Sequence, residues 1–425
     1  MKSATQAVGK LATACAAAGA VYAVLLGILL TPRAQRFAIY ANAFNTLRWR
    51  DVHDGTAHGF APNQVTPFNL STPDGEILYA WHILPLNQYT RHETAILNEA
   101  QRRDGPVDDF TTTTAYKVLT SRDPSPAKVV VSFHGNAGHI AQGWRPAANR
   151  LITNMPNTHV FTIDYRGFGH STGTPTEAGL IADGVALVEY IVGTTKIPPE
   201  RIVILGQSLG TAVSAAVALH FADRRNALLP PSLHTSSLSD ASDQKTLPTT
   251  FAGVVLAAPF NSIPTLLLTY RIGGFLPLLL PLRPFPSLAQ MLMAKVVDTW
   301  QTADRLWAYY HALEGTPSLN DGTRNKGSVQ IIHALNDADI PFHQTEMIYR
   351  RVFSQRKSQD AFDTSELEPS ELIAGNEGPA VFDVKKDGFP RMRFDFVEHG
   401  GHNRILTYSP VAVAISRALE GFSDS

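Results

Sequence analysis

One cysteine, Cys15, stands in 425 residues. A single thiol can form neither an intrachain disulfide framework nor a thiolate metal site. Charge of one sign is missing too: 36 Lys and Arg face 37 Asp and Glu, for a net charge of −1 at pH 7. That balance gives no electrostatic footprint for nucleic acid, which is excluded as a partner. No cluster of His, Asp and Glu has metal-ligand spacing and no G-x-G-x-x-G is present, so no cofactor and no metal is expected.

What the N-terminus lacks is charge. From Leu11 to Thr31 no residue is ionised, with Lys2 and Lys10 before the run and Arg33 and Arg36 after it. As a helix these residues would rise about 32 Å at ~1.5 Å each, enough for the hydrocarbon core of a bilayer. A cleaved signal peptide is the competing reading. A cut near Ala20 would leave VYAVLLGILL exposed, and no small-residue site follows before Arg33. The expectation is therefore an uncleaved anchor over 1–31, its transmembrane helix at about 11–31, with Cys15 facing lipid or packing. The protein would be single-pass, in the endoplasmic reticulum or another endomembrane. Basic residues on both flanks leave its orientation open, and the sequon Asn69-Leu70-Ser71 is usable only on a luminal domain.

Gly-Gln-Ser-Leu-Gly at 206–210 is preceded by RIVIL, a short β-branched run, and followed by TAVSAAVALHF, an alanine-rich helix former. G-x-S-x-G between strand and helix is a nucleophile elbow, whose tight turn lifts the serine Oγ above the sheet at a helix N-terminus. Such a serine needs an acid and then a base further along the chain. SVQIIHAL (328–335) reads as a buried strand and ends in Asn336-Asp337-Ala338-Asp339, so Asp337 is the candidate acid and Asp339 its rival. RMRFDFV (391–397) alternates like a strand and runs into Glu398-His399-Gly400-Gly401-His402. His402 is the candidate base and His399 the alternative. The oxyanion hole requires the N–H after the nucleophile, on Leu209, and one from a loop after an earlier strand. KVVVSFHGNAG (128–138) supplies that strand and loop, with Asn136 as the second donor.

These motifs resemble a known family. HGNAG (134–138), DYRGFGHSTG (164–173), GQSLG (206–210), HALNDADIP (333–341) and GGHN (400–403) are similar to the membrane-anchored α/β-hydrolase-domain serine hydrolases, which include monoacylglycerol and lysophospholipid lipases and the fungal bud-emergence proteins. The resemblance covers roughly residues 65–422. It implies an α/β-hydrolase fold with Ser208 as nucleophile, Asp337 as acid and His402 as base. Many relatives carry an acidic residue soon after that histidine, whereas Asn403-Arg404 stands here.

Repeated strand–helix alternation argues for one doubly wound, mostly parallel sheet over 65–425, after a juxtamembrane linker at 32–64. PFNLSTPDGEILYAWHILP (67–85) reads as a hairpin turning at Thr72–Gly75, and 176–192 as an amphipathic helix capped by Thr176. Four insertions are expected. Residues 86–126 are partly helical; 225–250 and 355–390 read as loose polar excursions. Residues 262–312 are dense in Leu, Pro and Phe, too broken by Gly and Pro for a core helix, and sit where a lid would cover the nucleophile. A greasy lid beside an anchor points to a lipid or acyl-ester substrate. The expected function is hydrolysis of carboxylic esters of lipids, with a thioesterase acting on acylated protein cysteines and a catalytically silent scaffold as alternatives.

Overall fold

The computed structural model describes residues 2–44, 51–100, 105–122, 125–234, 248–269, 271–272, 276–277, 279–282, 284–315, 327–353 and 380–421. At its centre is a nine-stranded sheet built from β1 (Val65–Ser71), β2 (Ile77–Ile83), β3 (Lys128–Phe133), β4 (Thr158–Ile163), β5 (Ile202–Gln207), β6 (Gly253–Ala257), β9 (Ser328–Ala334), β10 (Ala380–Val384) and β11 (Met392–Val397). A separate two-stranded ribbon pairs β7 (Arg271–Ile272) with β8 (Leu276–Pro277). The order in the main sheet is β1-β2-β4-β3-β5-β6-β9-β11-β10. The six strands from β4 to β11 run parallel. The hairpin β1-β2 and the edge strand β10 are antiparallel.

Central strands buried on both faces read as continuous apolar runs, and their side chains divide by alternation. Ile202 and Ile204 of β5 join one core layer, and Val203 and Leu205 the other. The first layer is roofed by α6 (Glu177–Thr195), α7 (Leu209–Ala222), α10 (Thr302–Ala312) and α11 (His343–Phe353). The second lies under α5 (Arg145–Thr153) and α12 (Ser409–Glu420). Thr176 caps α6 through the Gly179 N–H, as expected. The helix is not amphipathic, however. It is wedged between neighbours, and residues on most of its sides are buried, Leu180, Ile181, Val185 and Leu187 among them.

Three expected boundaries change. The described residues of 32–64 are packed rather than a loose linker. They form α2 (Pro32–Tyr40) and a 3-10 turn at Gly55–His58, and bury Gln35, Tyr40, Val52, His58, Phe60 and Gln64 against the body. The end of the 355–390 excursion is β10, an ordered edge strand on β11. Residues 302–312 of the expected lid are α10, whose Leu306, Tyr309 and Tyr310 fill the core layer under the sheet, because an apolar face beside α7 has nowhere better to go. The remainder of the 262–312 segment comprises α8 (Ile263–Thr269), the ribbon, a 3-10 turn at Leu280–Leu282 and α9 (Pro286–Met293). Between them Leu279, Leu282 and Met293 form a small apolar cluster.

The N-terminal helix α1 runs Lys2–Leu29, and its Ala12–Leu29 window is apolar, long enough to span a bilayer and entirely unburied. Its Tyr22 and Leu26 rest on the Leu279–Leu282–Met293 cluster. The excursion 86–126 holds α3 (Leu86–Ala100) and α4 (Thr114–Thr120), both packed on the first core layer. Residues 235–247, within the 225–250 insertion, and 355–379 lie outside the described residues.

Candidate active site

Strand β5 ends at Gln207 and α7 begins at Leu209, so Ser208 alone makes the turn. Its φ of 53° and ψ of −122° lie where L-residues are strained. The strain is held by a hydrogen bond from the Ser208 N–H to the Ala257 carbonyl at 3.1 Å, and by the Thr211 hydroxyl, which donates to the Ser208 carbonyl at 2.6 Å. The flanking chains come too close for side chains. A Cβ on Gly210 would stand 2.1 Å from the Phe133 carbonyl oxygen, and one on Gly135 would meet Gln207 Oε1 at 2.6 Å and Ser208 Cβ at 3.1 Å. The 134–138 loop therefore lies directly against the elbow.

His402 enters from the loop after β11. Its Nε2 is 2.9 Å from Ser208 Oγ, and its Nδ1 is 2.9 Å from Asp337 Oδ2. The other carboxylate oxygen, Oδ1, accepts the N–H groups of Asp339 and Ile340, both at 2.9 Å. Burial by itself would raise the Asp337 carboxyl, but His333 and His402 beside it hold it well below the usual carboxylate range. His333 is fixed in turn by Thr345 Oγ1 at 2.7 Å and the Ile340 carbonyl at 2.9 Å. Of the two candidate bases, His402 meets Ser208, while His399 is exposed and lies 3.6 Å from Glu398. Of the two acids, Asp337 meets the imidazole, and Asp339 donates its backbone N–H to the Asp337 carboxylate. Asp337, Asp339 and His402 offer atoms within 4.8 Å of one another. Asp337 and His402 already use theirs in hydrogen bonds.

The two expected oxyanion donors are the N–H groups of Leu209 and Asn136, neither of which has an acceptor among the described residues. Sequence reasoning missed what aims the second of them. Arg145 donates to the carbonyls of Gly135 (3.1 Å), Asn136 (2.8 Å), Ala137 (2.9 Å) and His139 (2.6 Å). One planar cation thus draws in the carbonyls of the whole loop. The available signal was an arginine placed just before Pro146 at a helix start, a few residues past a glycine-rich loop. Under the loop, Asp164 accepts the Ile140 N–H at 2.6 Å, and burial pushes its carboxyl up to about 7. Two residues that seat the histidine were also missed. Gln207 Nε2 donates to the His402 carbonyl at 3.1 Å, and Asn336 Oδ1 accepts the Gly401 N–H at 2.9 Å.

Residues 128–311 match the family model of the alpha/beta hydrolase fold. The protein Bem46 of Schizosaccharomyces pombe is 36% identical over 138 residues, 32% of this chain and 46% of that protein. The alpha/beta hydrolase domain-containing protein WAV2 of Arabidopsis thaliana is 37% identical over 112 residues, 26% of this chain and 36% of that protein. The lysophosphatidylserine lipase ABHD12 of Danio rerio is 27% identical over 206 residues, 48% of either chain. The chain spans less than half the length of each of these relatives. The matched segment contains the loop at 134–138, the elbow at Ser208 and the central parallel strands, and the chain has the alpha/beta hydrolase fold.

Proposed function

We propose that this chain is a membrane-anchored serine hydrolase that cleaves carboxylic esters of lipids, of monoacylglycerol or lysophospholipid type. The observation that carries the reading is the unbroken hydrogen-bonded run from Ser208 Oγ through His402 to Asp337, at 2.9 Å for each link. Ser208 Oγ forms a bond to the acyl carbon while its proton passes to His402 Nε2, and Asp337 holds Nδ1–H and the developing imidazolium. The carbonyl oxygen becomes an oxyanion held by the Leu209 N–H at the start of α7 and the Asn136 N–H of the loop after β3. As the C–O bond to the alcohol breaks, His402 returns its proton to the leaving oxygen. Water then attacks the acyl-enzyme with His402 again as base. The carboxylic acid departs and Ser208 regains its proton.

Two features favour a lipid as substrate. The segment from Ile263 to Val297 carries an apolar cluster of its own and leaves Phe285, Leu288 and Met291 exposed, which suits an acyl cover rather than core packing. The apolar helix α1 touches that cluster and would tether it to a bilayer. A relative bearing the name lysophosphatidylserine lipase points the same way. The test is hydrolysis of a panel of monoacylglycerols and lysophospholipids by the full chain, with Ser208→Ala as blank and a fluorophosphonate probe alongside. Turnover and labelling that both vanish in Ser208→Ala support the reading. Labelling that persists in that variant refutes the nucleophile, and turnover confined to acyl thioesters refutes the substrate class.

A further inference from the structure

The segment between α1 and β1 reaches the site from two sides. Helix α2 starts directly after the apolar helix, with Thr31 as its cap. It ends at Tyr40, which is fully buried with its ring edge-on to Phe168 and Trp300. On one side α2 fastens the return limb of the apolar segment. The Tyr40 hydroxyl donates to Asp298 Oδ2 at 2.9 Å, where Arg36 Nε also binds at 3.1 Å. Gln35 donates to the Lys295 carbonyl and accepts the Val297 N–H, both at 2.9 Å. Burial and the Asp298 charge hold the Tyr40 phenol far above its ordinary range, so it stays a donor at any working pH.

On the other side α2 meets the oxyanion loop. The Tyr40 carbonyl accepts the Ala137 N–H at 2.8 Å, and Asn136 Nδ2 reaches the Ile39 carbonyl at 3.4 Å. Ala137 has φ +61°, a left-handed conformation that an alanine keeps only where its surroundings impose it. They do so here, because the peptide joining Asn136 to Ala137 is pinned at both ends. Arg145 holds its oxygen and Tyr40 its N–H. The Asn136 N–H lies in the preceding peptide, whose Gly135 oxygen Arg145 also holds, so freeing the Tyr40 end lets the loop, and that N–H with it, shift away from the serine.

We propose that Tyr40 is a positioning residue for hydrolysis: its carbonyl sets the oxyanion loop while its hydroxyl sets the return limb of the acyl cover. Seating of the membrane-proximal segment then governs turnover itself, beyond bringing the enzyme to lipid. The inference rests on the oxyanion-hole reading above.

The test uses the full chain in detergent micelles and p-nitrophenyl butyrate, a soluble ester that needs no bilayer. Four quantities are read: kcat, KM, the rate of fluorophosphonate labelling and Tm. Tyr40→Phe and Asp298→Ala are expected to lower kcat and the labelling rate by about tenfold or more, with KM changed less than about twofold, because misplaced groups hurt the transition state most. Asp298→Asn still accepts both hydrogen bonds and should stay within about threefold of wild type. The double variant Tyr40→Phe/Asp298→Ala should be no slower than the worse single one, since both break one link. Unchanged kcat and labelling in Tyr40→Phe and Asp298→Ala, with only Tm lowered, would overturn the proposal. So would an Asp298→Asn as slow as Asp298→Ala, which would put the effect on the Arg36 ion pair. Ser208→Ala in the same series separates the readings: if it still labels, the hydrolase mechanism falls and this proposal with it. If it is silent while Tyr40→Phe is unaffected, only this proposal falls.

Discussion

Replacing Asp337 by asparagine changes one oxygen to an amide nitrogen, and the surroundings dictate which one. Oδ1 accepts two backbone N–H groups, from Asp339 and Ile340, at 2.9 Å each. Placing the new NH2 there would set donor against donor twice and forfeit two hydrogen bonds, at about 1–3 kcal/mol for each buried group left unpaired. Asparagine will therefore keep its oxygen at that position and turn its NH2 toward His402 Nδ1. The imidazole must then accept at Nδ1 and carry its proton on Nε2, facing Ser208 Oγ 2.9 Å away, where it cannot take the serine proton. A wrong tautomer in an otherwise intact triad lowers kcat about 10^4-fold, close to 5.5 kcal/mol of barrier. Asp339→Asn leaves the backbone N–H in place, and its loss should stay below about tenfold. The assay is kcat on a soluble ester for both variants, with Tm and circular dichroism to confirm folding. An Asp337→Asn enzyme that keeps a tenth of its activity would refute the tautomer argument, and a reversed order between the two variants would move the acid to Asp339.

Gly135→Ala should drop kcat by about 10^2 while the protein still folds, since its Cβ would press on Ser208 Cβ at 3.1 Å and on the Gln207 amide that seats His402; wild-type kcat would show that these groups give way freely. Acid should destabilise the fold: burial pushes His139 and His220 down to about 4 and His159 to about 3, so their neutral forms stabilise the native state above an unfolded pKa near 6.5, and about 2 kcal/mol per histidine is lost between pH 7 and 5. Asp164, raised to about 7, has the opposite sign and returns about 2 kcal/mol over that range; a Tm at pH 5 equal to or above that at pH 7 would contradict this balance. Chain length should matter on the cover reading, with each added methylene raising kcat/KM by up to about fourfold at ~0.8 kcal/mol until the site fills. Leu282→Asp should then hurt long-chain turnover far more than butyrate turnover, and equal losses would mean Leu282 only packs. The full chain should remain in the pellet after carbonate extraction, and its release would remove the anchor from the reading.

The elbow could be read from sequence because its requirements are local: a β-branched run, a serine between glycines and an alanine-rich run lie side by side in the chain. Strand position left Asp337 and Asp339 as rivals in one turn, and it was the HALNDADIP resemblance that favoured Asp337. Their roles differ only because the backbone there sends two N–H groups back onto Asp337. Residues 32–64 looked like a linker because their aromatic and polar residues follow no period. The partners that order them, Lys295, Val297 and Asp298, lie some 260 positions away. Helix α10 was taken into the lid because its Leu, Trp and Tyr residues resemble the apolar segment before it, and only packing against α7 tells the two apart. Strand β10 is short and mostly solvent-facing, so its ordering comes from the β11 edge it pairs with.

The hydrogen-bonded run from Ser208 through His402 to Asp337 joins distant parts of the chain, and the seat of its histidine, the Gln207–His402 contact, joins positions 195 apart. During synthesis the elbow at Ser208 emerges well before His402. At 5–20 residues per second on the ribosome, roughly ten seconds or more separate completion of the elbow from arrival of His402, after β11. Throughout that interval Ser208 lacks the His402 imidazole it meets in the folded chain. On the proposed reading, hydrolysis would begin only once β11 docks on β9 and brings His402 to Ser208, so chain order itself would delay the chemistry.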